Sequence, residues 1–477
     1  MEMTARTYTR TRRRWRTKQG KVEIIQGRRR VKCASEKCTN EGRNGKQEMG
    51  KGKSVSASKS SSKDEPPLGA AEQMSSSSSS LSVSSLRAQR RDEENSNERV
   101  DRTDASTADA ARLSWESLVR WSRRREQRRG ADDADVAAAY PIAARKVCVL
   151  GGGSFGTAMA SVLARSRPEL DVRLLVRSAE DARGINEEHV NRRYLPHHAL
   201  PESIGATTDA RVALDAAEYI IHAVPVQSSF AFLRNLREHV PASVPILSVS
   251  KGLELGTTQT MNEVIPRALG NAKQPVVCLS GPTFASEVMQ ELPTVIVAAS
   301  EDLALARSAQ QLLACSTLRV NTSTDVIGVE MAGALKNVLA IAAGIVEGLE
   351  LGNNAMAALV AQGCSEIRWI CERMGASNAT ISGPAGVGDI MLTCFVSLSR
   401  NRSVGVRLGR GERLDDILGS STQVAEGVAT AEALVAVARR HRVSLPVLTA
   451  VARIVQQELT PRAAVDQLMS LPQIDEK

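Results

Sequence analysis

The chain has 477 residues, enough for two folded domains beyond a terminal tail, and Lys336 and Asn337 interrupt its best candidate for a membrane-spanning run. Residues 1–60 carry 18 Lys/Arg and 5 Glu, which leaves 44 basic and 48 acidic residues elsewhere, so the body lacks the charge of a nucleic-acid-binding protein. The eight cysteines form no CxxC pair, which predicts reduced thiols in an intracellular compartment, with neither a disulfide framework nor a metal site.

Residues 1–143 show no sustained hydrophobic period and are predicted to be a disordered tail and linker. Arginine clusters give way to serine tracts and then to a charged run, a composition that cannot bury enough apolar surface to fold alone. The basic, serine-rich start resembles an organelle transit peptide. For the stretch WESLVRWSRRREQRR from Trp115, a solvated linker is preferred to a short basic helix.

Order is predicted to begin at Lys146, where the apolar run KVCVL has the character of a buried parallel strand. It leads into GGGSFGTAMA, in which Gly151, Gly153 and Gly156 match the G-x-G-x-x-G spacing. Glycines there allow a tight turn and a close approach to a pyrophosphate, and the next helix N-terminus favours its charge. Because a second strand follows at 172–176, the pattern predicts a dinucleotide-binding fold.

The end of that second strand normally carries an acidic residue for the ribose 2′-hydroxyl. This chain has Arg177 and Ser178 instead. An arginine can pair with a 2′-phosphate, so the sequence admits NADPH as well as NADH. The alternative is that Arg177 only stacks beside the adenine.

Five further apolar runs are predicted as strands, at 218–224, 244–250, 276–280, 294–300 and 317–320. Several of them end in polar or Gly/Pro clusters. Ligands of open α/β sheets bind beyond the carboxyl ends of the strands, which makes Lys251 a candidate ligand contact. Taken alone, a lysine there is more often a surface residue.

After Asp325 the pattern becomes helical, over 328–350, 353–374, 400–410, 424–440, 445–458 and 461–469. We therefore predict a dinucleotide-binding domain over 144–325 and an all-helical domain over 326–477. Lys336 lies in the first of these helices, and its neighbours at helical spacing are small or apolar, with no acid among them. Such an ammonium group must meet a carboxylate from elsewhere or, alternatively, extend to water.

Two polar clusters follow in the helical part. A Gly-rich turn, GPAGVGDIMLTC (383–394), presents Asp389 and Thr393. The segment SLSRNRS (397–403) places Ser399-Arg400-Asn401 near a helix start. Hydroxyl, guanidinium, amide and backbone N–H groups together suit a phosphate. The alternative is an ordinary helix cap with a surface arginine.

In this order the motifs resemble the NAD(P)-dependent glycerol-3-phosphate dehydrogenases, in particular the bacterial-type enzymes and their plastid relatives. The matching segments, which span about 144–470, are GGGSFGTAMA, SKGLE (250–254), SGPTFASE (280–287), GALKNVLAIAAG (333–344), GVGDIMLTC (386–394), SLSRNRSVG (397–405) and VAEG (424–427). The segment HAVPVQSS (222–229) looks more like the plastid group. One departure is Gln362-Gly363, where bacterial members usually show Arg-Gly.

The resemblance implies a Rossmann-type NAD(P)-binding domain followed by an all-α substrate domain. It implies reversible hydride transfer between glycerol 3-phosphate and NAD(P)+, giving dihydroxyacetone phosphate, with glycerol 3-phosphate supplied to glycerolipid synthesis. Lys336 would be the general acid/base, with Asp389 beside it. Substrate would be held by Lys251, Gly281, Thr283, Lys336, Asp389, Ser399, Arg400 and Asn401. Besides the three glycines and Arg177, the cofactor would contact Ser154, Phe155, Lys251, Ala285, Arg400, Val424 and Glu426.

The resemblance also leads us to expect a homodimer in the plastid stroma, with the cytosol as the alternative. Three other functions stay open from the sequence. Another β-hydroxyacid-type dehydrogenase would lack the phosphate cluster at 399–401. A non-catalytic nucleotide-sensing protein would bind cofactor without turnover. A nucleic-acid-associated protein would act through the basic tail, with binding that depends on salt.

Overall fold

The computed structural model describes residues 112–122, 144–421 and 423–472. Residues 112–122 form a helix, α1, whose side chains are exposed except for half-buried Val119. This helix corrects the preferred linker interpretation for these residues. The remainder of the predicted tail, including the transit peptide, lies outside the described residues.

An eight-stranded sheet forms the first half of the described body. Its strands are β1 (Lys146–Leu150), β2 (Asp171–Leu175), β3 (Ile204–Thr207), β4 (Tyr219–His222), β5 (Ile246–Ser248), β6 (Val276–Ser280), β7 (Thr294–Ala299) and β8 (Leu318–Ser323). They lie in the order β3-β2-β1-β4-β5-β6-β7-β8, and all neighbours are parallel except β6 and β7. The chain order reverses beside β1, so the crevice beyond the carboxyl ends of β1 and β4 is the switch point where such sheets bind ligands.

Helices cover both faces of this sheet: α2 (Ser154–Ser166), α3 (Ala179–Glu188), α4 (Ala210–Leu214), α5 (Val226–Leu236), α6 (Met261–Leu269), α7 (Ala285–Met289) and α8 (Leu303–Leu313). The central strands are almost entirely buried, as β-branched and leucine side chains on a sheet covered on both faces should be. All seven predicted strands are confirmed. Strand β3, IGAT, was not predicted, because four residues with alternate positions half-buried carry little apolar signal.

The second half is helical, as predicted, with α9 (Val326–Gly348), α10 (Gly352–Arg373), α11 (Asn378–Ile381), α12 (Asp389–Phe395), α13 (Arg400–Gly409), α14 (Leu414–Gly419), α15 (Glu426–His441), α16 (Pro446–Val455) and α17 (Pro461–Met469). The six predicted helices are confirmed. The segment interpreted as a Gly-rich turn is instead a π-helical turn, Pro384–Gly388, that continues directly into α12. Asp389 therefore sits on the first residue of a helix.

The central helix of this half is α9, which is buried along nearly its whole length. Glycines at its crossing with α13 allow the two backbones to touch. A Cβ atom at Gly405 would lie 2.9 Å from the Cα of Gly344, and one at Gly409 would lie 2.7 Å from the Ile345 carbonyl oxygen. This close approach sets the start of α13 against the middle of α9.

By length and composition, α9 resembles a membrane span. Among the described helices, the bent pair 378–395 and 400–409 is long and apolar enough to cross a membrane only if its two segments are counted as one span. However, 89% of the most apolar window of α9 is buried inside the protein. A core helix of a folded protein has the same length and composition.

Candidate active site

Lys336 meets a carboxylate from another helix, as its uncompensated position on α9 requires. Its Nζ donates to Asp389 Oδ1 at 2.7 Å and to Thr393 Oγ1 at 2.7 Å. Asp389 and Thr393 lie one turn apart on α12, and all three side chains are buried. The alternative in which Lys336 extends to solvent is therefore wrong.

A second lysine shares the same carboxylate. Lys251, which follows β5, donates from Nζ to Asp389 Oδ2 at 2.8 Å and to the Gly281 carbonyl oxygen at 3.2 Å. Gly333 leaves room for it, since a Cβ there would lie 3.5 Å from Lys251 Cδ and 2.7 Å from Ser280 Oγ. One carboxylate between two ammonium groups gives a largely buried site an excess of positive charge, which favours an anionic ligand.

The electrostatics of Lys336 suit proton transfer. The pKa of Lys336 is lowered to about 8, chiefly by burial; nearby Asp389 opposes this shift, and the positive charge of Lys251 adds to it. An amine whose pKa lies close to neutrality can donate a proton in one direction of a reaction and accept it in the other.

The loop after β6 contributes backbone and hydroxyl groups to the same place. Gly281 has φ +155°, and a Cβ there would lie 2.6 Å from the Val295 carbonyl oxygen, so only glycine fits. Thr283 Oγ1 donates to the Gly281 carbonyl oxygen at 3.2 Å. Ser280 Oγ, which the sequence analysis missed, is buried without a hydrogen-bond partner among the described residues. A serine at the end of a strand that leads into Gly-Pro was its only signal.

The segment 399–401 lies beside the neighbour of Lys336. Asn401 Nδ2 donates to Asn337 Oδ1 at 2.9 Å, and Asn401 Oδ1 accepts from the Gly427 backbone N–H at 2.9 Å. Asn401 on α13 thus joins α9 and α15, and its partner Asn337 was not predicted from the sequence. Ser399 caps α13, because its Oγ accepts from the Arg402 N–H at 3.2 Å. Arg400 is exposed, and among the described residues its guanidinium donates to the Val424 carbonyl oxygen alone, at 3.1 Å.

We expect Arg400→Lys to raise the KM for a phosphorylated substrate, because lysine keeps the charge but loses the planar fork of donors that pairs with two phosphate oxygens. Steady-state kinetics would measure it. Arg410→Lys, at the C-terminal end of α13, is the matched control. If the KM of the Arg400 variant equals that of the control, the phosphate is held elsewhere.

The Gly-rich turn after β1 has the geometry that a dinucleotide requires. Gly151 has φ +107°, and a Cβ there would lie 2.7 Å from the Ala223 carbonyl oxygen. No atom lies within 4 Å of the Cβ position at Gly153, so the approach to the backbone is open. Gly156 packs its helix against the same loop, with its Cβ position 3.0 Å from Ala223 Cβ. At each position of the motif, the absence of a side chain therefore has a separate steric reason.

Ser154 and Phe155 are the first residues of α2, and no side chain caps that helix. Its free N–H groups at the switch point can therefore receive a pyrophosphate. Ala285 begins α7, half-buried against the sheet core. The residues at this edge fit NAD(P), although Ala285 itself offers only an apolar contact.

Glu426 faces the same crevice from the helical half. Its Oε1 accepts from the Val226 N–H at 3.1 Å, whereas Oε2 is buried and has no hydrogen-bond partner among the described residues. Burial raises the pKa of Glu426. A buried acceptor without a donor fits the hydroxyl or amide groups of a dinucleotide. Val424, two residues earlier, is exposed and offers an apolar side chain, while its carbonyl oxygen accepts from Arg400.

Arg177 lies just after the end of β2, the strand beside β1, as predicted. Its guanidinium is exposed, and Nη2 donates to the Tyr194 hydroxyl at 3.4 Å. Ser178 is instead taken up as the cap of α3, where its Oγ accepts from the N–H groups of Glu180 and Asp181. Of this pair, Arg177 is the side chain left to contact a ribose.

Gln362-Gly363, where bacterial relatives usually have Arg-Gly, lies in the packing around α16. Gln362 Nε2 donates to Glu366 Oε1 at 3.2 Å, and buried Glu366 accepts from the N–H groups of Val447 and Leu448 at the start of that helix. Gly363 packs on Leu339. Among the described residues, Gln362 makes no contact with the reacting groups, so its effect is on helix capping.

Comparisons with known proteins identify the family that this chain resembles. Family models of the NAD-dependent glycerol-3-phosphate dehydrogenase N-terminus and C-terminus match residues 146–306 and 325–466. The Arabidopsis thaliana protein named glycerol-3-phosphate dehydrogenase (NAD(+)) 2, chloroplastic, is 59% identical over 365 residues, 76% of this chain and 85% of that protein. An NAD(P)+ glycerol-3-phosphate dehydrogenase of Oleidesulfovibrio alaskensis is 42% identical over 68% of this chain and 98% of its own length. The crystal structure of the Coxiella burnetii enzyme matches with a TM-score of 0.65 and 34% identity, over 69% of this chain and 99% of that one.

Proposed function

This chain belongs to the NAD-dependent glycerol-3-phosphate dehydrogenase family, and we propose that Lys336, held by Asp389, is the proton donor and acceptor of its reaction. The enzyme transfers a hydride reversibly between glycerol 3-phosphate and NAD(P)+, with dihydroxyacetone phosphate as the oxidised product. The observation that carries the assignment of Lys336 is its buried contact, at 2.7 Å, with an aspartate that also binds Lys251.

The donors of the Lys336 ammonium group support this role. Of its three N–H bonds, one points to Asp389 and one to Thr393, so the third is free for the C2 oxygen of the substrate. When bound, the nicotinamide supplies or accepts the hydride at C2. In reduction, the ammonium gives its proton to the C2 oxygen, and in oxidation the neutral amine takes it back.

Other residues orient the substrate in this proposal. Lys251 places positive charge beside the oxygen on which negative charge develops. Arg400 and the start of α13 receive the phosphate, which fixes the substrate at a point far from the reacting carbon. We keep 144–325 and 326–477 as the two domains, with substrate in the cleft between them. The end of β8 at Ser323 and the start of α9 at Val326 support that boundary.

Oxidation of NADH or NADPH in the presence of dihydroxyacetone phosphate tests the proposed function directly. We expect turnover with this substrate and none with β-keto acids that lack a phosphate. Turnover of the unphosphorylated acids would favour another β-hydroxyacid-type dehydrogenase. Cofactor binding without any turnover would favour a nucleotide-sensing protein.

We propose that both NADH and NADPH are used, because Arg177 stands where an acid would repel a 2′-phosphate. A charge-assisted contact of about 1.5–3 kcal/mol corresponds to roughly a tenfold to hundredfold preference, and less for this exposed side chain. Arg177→Asp should shift the ratio of kcat/KM values towards NADH and leave the KM for dihydroxyacetone phosphate nearly unchanged. Arg183→Asp on α3 is the control. An unchanged ratio would show that Arg177 does not face the ribose.

We also propose that the enzyme works in the plastid stroma and supplies glycerol 3-phosphate for glycerolipid synthesis there. The chloroplastic name of the Arabidopsis relative and the basic, serine-rich start of this chain support that location. Residues 1–60 fused to a fluorescent protein should direct it to plastids. Fluorescence that stays in the cytosol would contradict the transit-peptide assignment.

A homodimer is the state we propose for the enzyme. Met391, Phe395 and Leu398, on α12 and just after it, expose about half of their apolar side chains close together in the sequence. An apolar patch of this kind is typical of a contact surface between proteins. Light scattering of the purified enzyme would measure the mass, and a monomer at all concentrations would contradict the proposal.

A further inference from the structure

An apolar groove lies at the end of α15 opposite to Glu426. It has a volume of about 560 Å³, within the range of small-molecule sites. Its apolar lining comes from three helices and the loop before α16, and includes Val435, Ala438, Leu445, Ala450, Ala464 and Leu468. At 1.5 Å rise per residue, Val435, the groove residue on α15 nearest in sequence to Glu426, lies roughly 14 Å along the helix from it. The groove is therefore separate from the active site.

The charged residues that line the groove all have the same sign. Arg439, Arg442 and Arg453 line it, and no aspartate or glutamate does. Arg453 is already engaged, by Glu458 at 3.6 Å and Gln467 at 3.2 Å. Arg439 and Arg442 make no ion pair or side-chain hydrogen bond with any described residue. Two guanidinium groups without a counter-charge among the described residues thus adjoin an apolar surface.

The dipole of α15 explains only part of this arrangement. Basic residues are favourable in the last turn of a helix, and Arg439, Arg440 and His441 occupy it. Arg440 serves the dipole as well as Arg439 does, but it does not line the groove. Arg442 lies beyond the helix, in a left-handed conformation with φ 55°. The dipole therefore gives no reason for both arginines to border the apolar lining.

We propose that this groove binds the anionic form of a fatty acid with a chain of about ten carbons, of which decanoate is the probe. The hydrocarbon chain would lie on the apolar lining, and the carboxylate would pair with Arg439 and Arg442. Guanidinium groups match the planar geometry of a carboxylate with two parallel hydrogen bonds, which makes arginine the preferred partner for it. A small anion would leave the apolar lining in water, and a neutral chain would leave both arginines without a counter-charge.

Calorimetry on the full chain, with decanoate below its micelle concentration, tests this site. We expect one decanoate per chain. Decan-1-ol, which keeps the chain, should bind roughly tenfold to hundredfold more weakly, because it lacks the charge-assisted contact. Acetate, which keeps only the carboxylate, should not bind measurably.

Variants separate the two halves of the site. Arg439→Gln/Arg442→Gln should weaken decanoate at least tenfold and leave decan-1-ol unchanged, whereas the matched control Arg440→Gln should bind like wild type. Ala450→Trp, which fills the groove, should abolish binding of both ligands. Unchanged activity with dihydroxyacetone phosphate would verify that each variant is folded.

Three outcomes would overturn the proposal. The first is equal affinity of wild type for decanoate and decan-1-ol. The second is decanoate binding that survives both the double variant and Ala450→Trp. The third is no decanoate binding together with self-association that Ala450→Trp removes, which would make the groove an interface between copies of the chain.

Discussion

Lys336→Ala is expected to lower kcat by roughly 10²–10⁴, the usual contribution of a positioned acid–base group, with cofactor affinity near that of wild type. The loss arises because Lys251 is the only other described amine bound to Asp389. Its ammonium group also binds the Gly281 carbonyl oxygen, so it is not placed to replace Lys336. That remaining ion pair keeps the Asp389 charge compensated, so the variant should fold. Single-turnover kinetics would separate the chemical step from cofactor binding.

The pH dependence of this variant provides a second test. In wild type, kcat/KM for reduction needs the protonated amine, so it should fall as pH rises through the Lys336 pKa of about 8, while oxidation should rise. In Lys336→Ala, neither the fall of reduction nor the rise of oxidation with pH should remain. Added methylammonium should restore part of the rate. Lys273→Ala, an exposed lysine, is the control. Wild-type turnover in Lys336→Ala would remove Lys336 from the mechanism.

Asp389→Asn should have the second-largest effect, on both stability and activity. The amide keeps the shape of the carboxylate but leaves two lysine ammonium groups without their shared counter-ion. Loss of one partner of a buried ion pair typically lowers the free energy of unfolding by about 3–5 kcal/mol. Because Asp389 raises the pKa of Lys336, its removal should also lower that pKa further below 8 and reduce the protonated fraction at neutral pH.

Two measurements separate these effects in Asp389→Asn. Denaturant unfolding gives the stability loss, and the limb of the pH–rate profile for reduction should move to lower pH. Asp325→Asn is a matched control, because Asp325 caps α9, the helix that carries Lys336, with its Oδ1 accepting from the Gly328 N–H at 2.8 Å. It should cost stability without moving the limb. If the limb stays in place in Asp389→Asn, that carboxylate does not set the pKa of Lys336.

Short-range features of this chain could be predicted from the sequence alone. The strand β1, the three glycines and α2 occupy one continuous stretch of about twenty residues, and each part depends on its neighbours in sequence. The periods of the helices α9, α10 and α15 likewise follow from residues three and four positions apart. The need of Lys336 for an outside carboxylate was visible in the same way, from the absence of an acid at helical spacing.

The partners of these groups were decided only by the tertiary structure. Asp389 lies 53 residues from Lys336 and 138 from Lys251, and nothing in the local pattern around any of the three names the other two; only the family resemblance placed them together. Neither the hydrogen bond from Asn401 to Asn337 nor the Ser280 hydroxyl, which has no partner among the described residues, was predicted. They depend on where α13 crosses α9. Backbone contact at glycines fixes that crossing point, and the hydrophobic period of the helices cannot encode it. Local propensity thus determined the elements, and long-range packing determined which polar groups meet.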